Sequence, residues 1–357
     1  MLIYYFLLAV LALLALVEAF YYKGKKPDPI LYAIVCLLLV LFAALRKIGI
    51  DNDSQMYSEW FHFFSKHSLS YLITENEPKY IEPGYILLNK CVAYFGGGIR
   101  LVLAIMAIAT GGLTYTFFYR KTSLPFLSLF FYAGIFFLIR DFTQIRYALS
   151  GALSFWVVSF FIDRRLVYAG ICFFIGVMFH NAMLILLPAL IIATVLKNVK
   201  VYLLFPLIGI MIGLVFNALE VIKSLGISSH SIDWYLKNDT GGSNMLAVFG
   251  FFTVCAYLLL GISKDKANIL YLKMILIGIS LNFLFYQSPI LQRFSFLLMQ
   301  FTILILSGLI LHLMKGRIDK KLFLVLYLFF TLFLLAYSCK SIQEDFIRPY
   351  EINYLWR

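Results

Sequence analysis

The chain of 357 residues is 62% apolar and only 13% charged, with 30 Lys and Arg against 18 Asp and Glu, a net charge of +12. Soluble domains carry about 25% charged residues, so a water-soluble core is excluded, and the long unbroken apolar runs exclude a β-barrel built from short alternating strands. The basic residues fall mostly in short loops between apolar runs, which accounts for the charge by the positive-inside rule and leaves no role for nucleic acid.

At ~20 apolar residues per span, the runs predict membrane segments near 1–21, 29–45, 99–118, 124–139, 145–162, 166–180, 182–196, 201–219, 246–262, 268–286, 294–314 and 322–339, with a shorter amphipathic helix over 83–95. The expected fold is an all-α polytopic integral membrane protein, with 1–357 as a single membrane domain of about 11–12 transmembrane segments. The first run, Met1 to Phe20, lacks a basic leader and a small-residue cleavage pattern, so it reads as a retained helix.

With the N-terminus outside, Lys23, Lys25, Lys26, Arg120, Lys121, Arg164, Arg165, Lys264, Lys266, Lys315, Arg317, Lys320 and Lys321 all fall on one, cytoplasmic, side. That count depends on residues 166–196. As one continuous helix they would send Lys197, Lys200, Lys264 and Lys266 outward; as two helices meeting at His180-Asn181 they keep all four inside, which is the expected arrangement. Two large loops then face outward, about 46–98 and 220–245. Both carry scattered aromatic residues, which argues against simple disorder. The five cysteines lack C-x-x-C spacing, and neither a disulfide framework nor a metal site is expected.

The polar residues outside the basic loops gather on the outward side. Arg140, Asp141, Gln144 and Arg146 lie between two apolar runs. A charge at the bilayer centre costs roughly 2.5–3.5 kcal/mol on insertion scales, so such residues face a cavity or a partner. Outward arginines are the minority under the positive-inside rule, and guanidinium forks bind phosphate bidentately. Interfacial anchoring on an external loop is the plainer reading. Arg293, after a Pro-containing turn, is a further outward arginine.

Arg46-Lys47 followed by Asp51 and Asp53 reads either as a snorkelling basic pair before an Asx-rich turn, or as a phosphate contact with a carboxylate base beside it. Glu82-Pro83-Gly84-Tyr85 is either an ordinary acidic helix start or a carboxylate set into a cleft. His180 is either a packing residue or, beside the arginines, a general base for a hydroxyl nucleophile. No Walker motif, dinucleotide fingerprint, H-E-x-x-H or G-x-S-x-G is present.

The succession Arg46, Gly49, Asp51 and Tyr57, then Glu82 to Tyr85, then Gln144-Ile-Arg146-x-Ala-Leu149, then Phe179-His180-Asn181 and an apolar run to Pro188, and finally Arg293, resembles the EpsG/Wzy-like polysaccharide polymerases over about residues 30–300. The resemblance implies a glycosyltransferase of the bacterial inner membrane with a GT-C-like helical architecture and its active site facing the periplasm. Such enzymes join undecaprenyl-pyrophosphate-linked oligosaccharide repeat units of O-antigen, lipopolysaccharide, capsule or exopolysaccharide and release undecaprenyl pyrophosphate, without a cofactor or metal. The implied partners are that lipid-linked oligosaccharide, membrane lipid, and a chain-length regulator and flippase of the same pathway.

On this reading His180, Arg146, Glu82 and Asp51 are the catalytic candidates. Arg46, Arg140, Arg146 and Arg293 hold pyrophosphate, and Asp53, Tyr57, Tyr85, Gln144, Trp234 and Tyr235 bind the substrate. Trp60 offers a further flat face to a sugar ring. A ligase using the same lipid donor fits the same residues. A transporter or flippase would place its polar residues through the midplane, where Asn217, Asn282 and Gln300 are sparse.

Overall fold

The fold is described from a computed structural model, over residues 1–22, 24–74, 81–224, 244–262, 265–315, 320–339, 342–343 and 346–352. It is helical, and among the described residues β pairing is confined to two isolated bridges. The polar–apolar arrangement is that of a protein solvated by lipid. Phe6, Leu13, Val167 and Phe174 stand exposed on their helices, while Glu18, Arg46, Arg140 and Asn282 are buried. The chain is an all-α polytopic membrane protein.

Its contacts cluster into two compact units, Met1–Asn181 with Ile310–Arg357, and Ala182–Leu309. The first contains α1 (Leu2–Val17), α2 (Pro29–Ala44), α3 (Ser54–Lys66), α4 (Leu69–Thr74), α5 (Pro83–Tyr94), α6 (Ile99–Lys121), α7 (Pro125–Tyr132), α8 (Ile145–Ile162) and α9 (Leu166–Phe179). The second contains α10 (Leu186–Val195), α11 (Phe205–Gly213), α12 (Ala218–Ser224), α13 (Met245–Leu259), α14 (Lys266–Leu284), α15 (Gln292–Met299) and the start of α16 (Thr302–Lys315). The end of α16 and all of α17 (Lys320–Cys339) return to the first unit.

Helices stand where hydropathy placed them, but their lengths vary. Leu2–Tyr22, Ile99–Lys121, Ile145–Ile162 and Lys266–Leu284 are long and apolar enough to cross a membrane. Two pairs bent by 60° and 44°, Val199–Gly213 with Ala218–Ser224 and Pro289–Met299 with Thr302–Lys315, have the geometry of broken spans or re-entrant loops, for four to six crossings among the described residues. Pro29–Ala44, Pro125–Phe137, Leu166–Phe179, Asn181–Val195 and Met245–Leu259 are apolar helices in the range of 10–17 residues, shorter than a straight crossing requires, so the expected 11–12 segments are not all full-length. α7 shows one reason: Pro125 through Leu138 are all buried, so this helix packs inside the first unit and is not held to the bilayer's thickness.

Side-chain bonds fix the two ends of the first unit. At one end the Glu18 carboxylate accepts the Phe126 and Leu127 amides (3.1 and 2.9 Å), capping the start of α7 from another helix. Beside it Lys26 donates to the carbonyls of Tyr119 and Arg120 at the end of α6 (2.6 and 3.0 Å). At the other end Tyr4 donates to the Arg348 carbonyl (2.9 Å), and Tyr350 stacks on Phe42 at 4.1 Å. Residues 346–352 form a strap there. Arg46 bridges to Ile352 and Asp51 to Ile347, the Arg348 amide donates to the Ile50 carbonyl (2.8 Å), and the Lys47 amide donates to Glu351 (2.9 Å).

In the second unit α11 and α14 cross closely. A Cβ on Gly209 would lie 2.3 Å from the Ser280 carbonyl oxygen, and one on Gly213 2.0 Å from that of Phe283. The four-residue spacing of these glycines is the small-x-x-x-small pattern of close membrane-helix packing. Buried Lys273 closes the end of α10 by donating to the carbonyls of Ala193 and Leu196, both at 2.7 Å.

The helix expected to break at His180-Asn181 does so. α9 ends at Phe179, His180 is extended (φ −159°, ψ 126°), and Asn181 opens a 3-10 turn that leads into α10. The break falls at the boundary between the two units.

Candidate active site

Three chain breaks meet in the first unit: the start of α5, the start of α8 and the end of α9. Pro83 supplies the fixed backbone angle of a first helical turn, which places Glu82 at the N-cap of α5. Gly84 follows because α9 passes so close that a Cβ there would sit 2.7 Å from the Met178 carbonyl oxygen. This contact sets Glu82 against the α9 break, where its Oε1 accepts the Asn181 amide at 3.2 Å. Its Oε2 pairs with Nη1 of Arg146, in the first turn of α8.

The pair is largely enclosed, with side-chain exposures of 15% for Arg146 and 6% for Glu82. The guanidinium lies over the Trp60 ring (5.0 Å) and near the Tyr85 ring (5.7 Å). Tyr57 and Trp60, one turn apart on α3, bring their rings to 5.6 Å, and Tyr57 to Tyr85 is 5.7 Å. Burial holds the Tyr57 and Tyr85 hydroxyls well above the ordinary phenol range, so both stay neutral. Lys90 on α5 ties this layer together by donating to the Phe64 and His67 carbonyls at the end of α3 (3.0 and 2.7 Å). The Nε of Arg146 is buried without an acceptor.

His180 is half-buried beside this pair, with its ring 5.0 Å from Tyr147. Arg140 backs Tyr147, donating to its hydroxyl (3.2 Å) and lying over its ring (4.6 Å) and that of Phe136 (4.0 Å). Asp141 accepts from Tyr132 (2.6 Å) and Tyr115 (3.4 Å). Burial raises its carboxyl to about 7, against the opposing pull of Tyr132, Arg140 and Tyr115.

Several sequence expectations need correction. Arg140, expected at a phosphate on an outward loop, is 1% exposed and Asp141 is 4% exposed; the turn is packed inside the protein. Arg46 and Asp51 are expected as a phosphate ligand and a base, or as part of a basic pair before an Asx-rich turn. They form a 2.9 Å ion pair with no side-chain exposure, under the Phe142 ring (4.9 Å). Asp51 also accepts the Asp53 and Ser54 amides (3.0 and 2.8 Å), so the pair starts α3 and seats the strap. Asp53 is the half-buried N-cap residue of α3, and Gln144 the half-buried N-cap residue of α8 next to Arg146. Arg293 is half-buried in the first turn of α15, in the second unit. Trp234 and Tyr235 lie outside the described residues. The strap has no signal in the sequence beyond the aromatic and basic character of Arg348-Pro349-Tyr350.

Fold and site together define a polytopic membrane protein with one partly open arginine, held by a carboxylate and bedded on aromatic rings where three helix ends converge. The chain belongs to the EpsG family, which matches residues 29–352 and so takes in the strap as well as both units. Membership makes it a polysaccharide-biosynthesis protein and, at that coarse level, a glycosyltransferase-like polymerase. No curated protein and no solved structure matches the chain significantly.

Proposed function

We propose that this protein polymerises undecaprenyl-pyrophosphate-linked oligosaccharide repeat units at the outer face of the bacterial inner membrane, using a GT-C-like helical scaffold. The observation that carries this reading is Arg146: of Arg46, Arg140 and Arg146 it alone keeps appreciable exposure.

The reaction breaks the bond between the anomeric carbon of the growing chain and its pyrophosphate oxygen. It forms a bond from that carbon to a hydroxyl of the incoming unit and releases undecaprenyl pyrophosphate. Charge develops on the leaving oxygen, where a preorganised guanidinium is most effective in a water-poor site. Glu82, with one oxygen on Arg146 and the other on the Asn181 amide, aims the guanidinium and keeps it from collapsing onto another acceptor. On this reading His180, whose ring lies beside Tyr147, takes the proton from the attacking hydroxyl. Trp60 and Tyr85 give the sugar an aromatic floor next to the guanidinium.

Reconstitution with purified undecaprenyl-pyrophosphate repeat units alone tests the reading. The wild type should give a ladder of products on a gel. Arg146→Ala leaves the enclosed Glu82 without its partner and should melt lower; the fraction that is folded should lose about 10²–10³ in rate, as for loss of one preorganised oxyanion donor. A full ladder from Arg146→Ala overturns the assignment. Transfer of one finished length to a separate acceptor, with no ladder, would identify a ligase instead.

A further inference from the structure

A groove of about 610 Å³ runs between α2 and α6, at the opposite end of the first unit from Arg146. Its body is apolar, walled by Leu37, Val40 and Ile108. Adjacent glycines shape its floor. Gly111 lets Val40 pack where a Cβ would come within 2.5 Å, whereas a Cβ on Gly112 would meet nothing within 4 Å. Gly112 thus leaves open the space that a side chain would fill. From Ile108 to Arg120 the groove follows α6 for roughly 18 Å, somewhat more than one leaflet of a ~30 Å hydrocarbon core.

The mouth is cationic from both walls, with Lys26 before α2 and Arg120 at the end of α6, both exposed. Lys26 uses two of its three donors on the Tyr119 and Arg120 carbonyls, and its ammonium lies 5.2 Å from the Tyr119 ring centroid. One N–H remains to point outward. The nearby acids are occupied elsewhere: buried Glu18 accepts the Phe126 and Leu127 amides, Asp28 accepts the Ile30 and Leu31 amides, and Asp163 pairs with Lys121 at 3.3 Å. None of the three lines the groove.

We infer that this groove binds an anionic phospholipid from the leaflet on its own side, with one acyl chain along α6 and the phosphate between Lys26 and Arg120. The inference does not depend on the proposed polymerase chemistry, because the groove and Arg146 lie at opposite ends of the unit.

Delipidated protein is examined by native mass spectrometry with phosphatidylglycerol and phosphatidylcholine of identical chains. At about five-fold per cation near an anionic headgroup, the wild type should retain phosphatidylglycerol about 25-fold better. Arg120→Gln, whose side chain caps no helix, should lower that preference to about five-fold with an unchanged melting temperature. Gly112→Leu should remove binding of both lipids. Equal retention of the two lipids by the wild type overturns the inference, as does an unaltered preference in Arg120→Gln. Displacement of phosphatidylglycerol by stoichiometric polyprenyl diphosphate also overturns it, by assigning the groove to substrate.

Discussion

Replacing Gly84 with alanine sets a Cβ 2.7 Å from the Met178 carbonyl oxygen and 3.0 Å from its Cβ. An ordinary contact begins near 3.4 Å, and the oxygen belongs to the backbone of α9, so α5 must retreat by about 0.7 Å. Glu82 sits two residues away and reaches the Asn181 amide at 3.2 Å, near the long limit of a hydrogen bond. The same retreat carries that contact to about 3.9 Å and breaks it. Alanine gains about 1 kcal/mol of helix propensity over glycine, while overpacking costs about 1–3 kcal/mol, so the net loss is up to about 2 kcal/mol. Gly84→Ala should therefore melt lower in detergent and lose most of its polymer ladder, because Glu82 no longer aims Arg146. Gly112→Ala is the control, since its Cβ meets nothing within 4 Å, and it should melt no lower than the wild type. A Gly84→Ala protein with wild-type melting and a full ladder would refute the close-approach argument and the role given to Glu82.

Asp51→Asn keeps an acceptor for the Ser54 amide but leaves the Arg46 guanidinium uncompensated where both side chains are fully buried. Breaking such a pair costs about 3–5 kcal/mol, read as a lower unfolding midpoint; a shift too small to measure would show that water reaches the pair. Tyr350→Ala removes the ring stacked on Phe42 and the bond to the Phe42 carbonyl (3.0 Å). It should cost about 2 kcal/mol, speed proteolysis of the C-terminal segment and lower polymer yield through the loop that starts α3. Unchanged proteolysis would mean that the strap is held without its tyrosine. The Asp141 carboxyl rises from the ordinary 3.8 to about 7 through burial. Between about pH 4 and 7 the folded state keeps a proton that the unfolded state releases, so stability falls as pH rises through that window and levels off above it. Asp141→Asn should flatten this slope, and melting temperatures that still fall across the window would point to another group.

The site was partly legible in the sequence because its residues sit at punctuation marks. Glu82-Pro83-Gly84 announces a helix start, Gln144-Ile145-Arg146 begins a helix after a charged turn, and His180-Asn181 interrupts an apolar run. What could not be read was depth. Arg46, Arg140 and Arg146 have similar sequence surroundings, each at the edge of an apolar run, yet their burial differs, and burial is what separates a structural ion pair from a group open to ligand.

The sequence by itself determined the solvent, the helical class and the positions of most helices, because apolar run length and loop charge are local properties set by the bilayer. It also carried the family resemblance in short motifs. Only the tertiary structure decided which arginine stays partly open, that Glu82 faces Arg146 at a separation of 64 positions along the chain, and that residues 346–352 clasp the loop at Arg46. Those pairings depend on how close two helices come, and at Gly84 that distance is set by the missing side chain on one helix and the backbone of the other, which no single stretch of sequence contains.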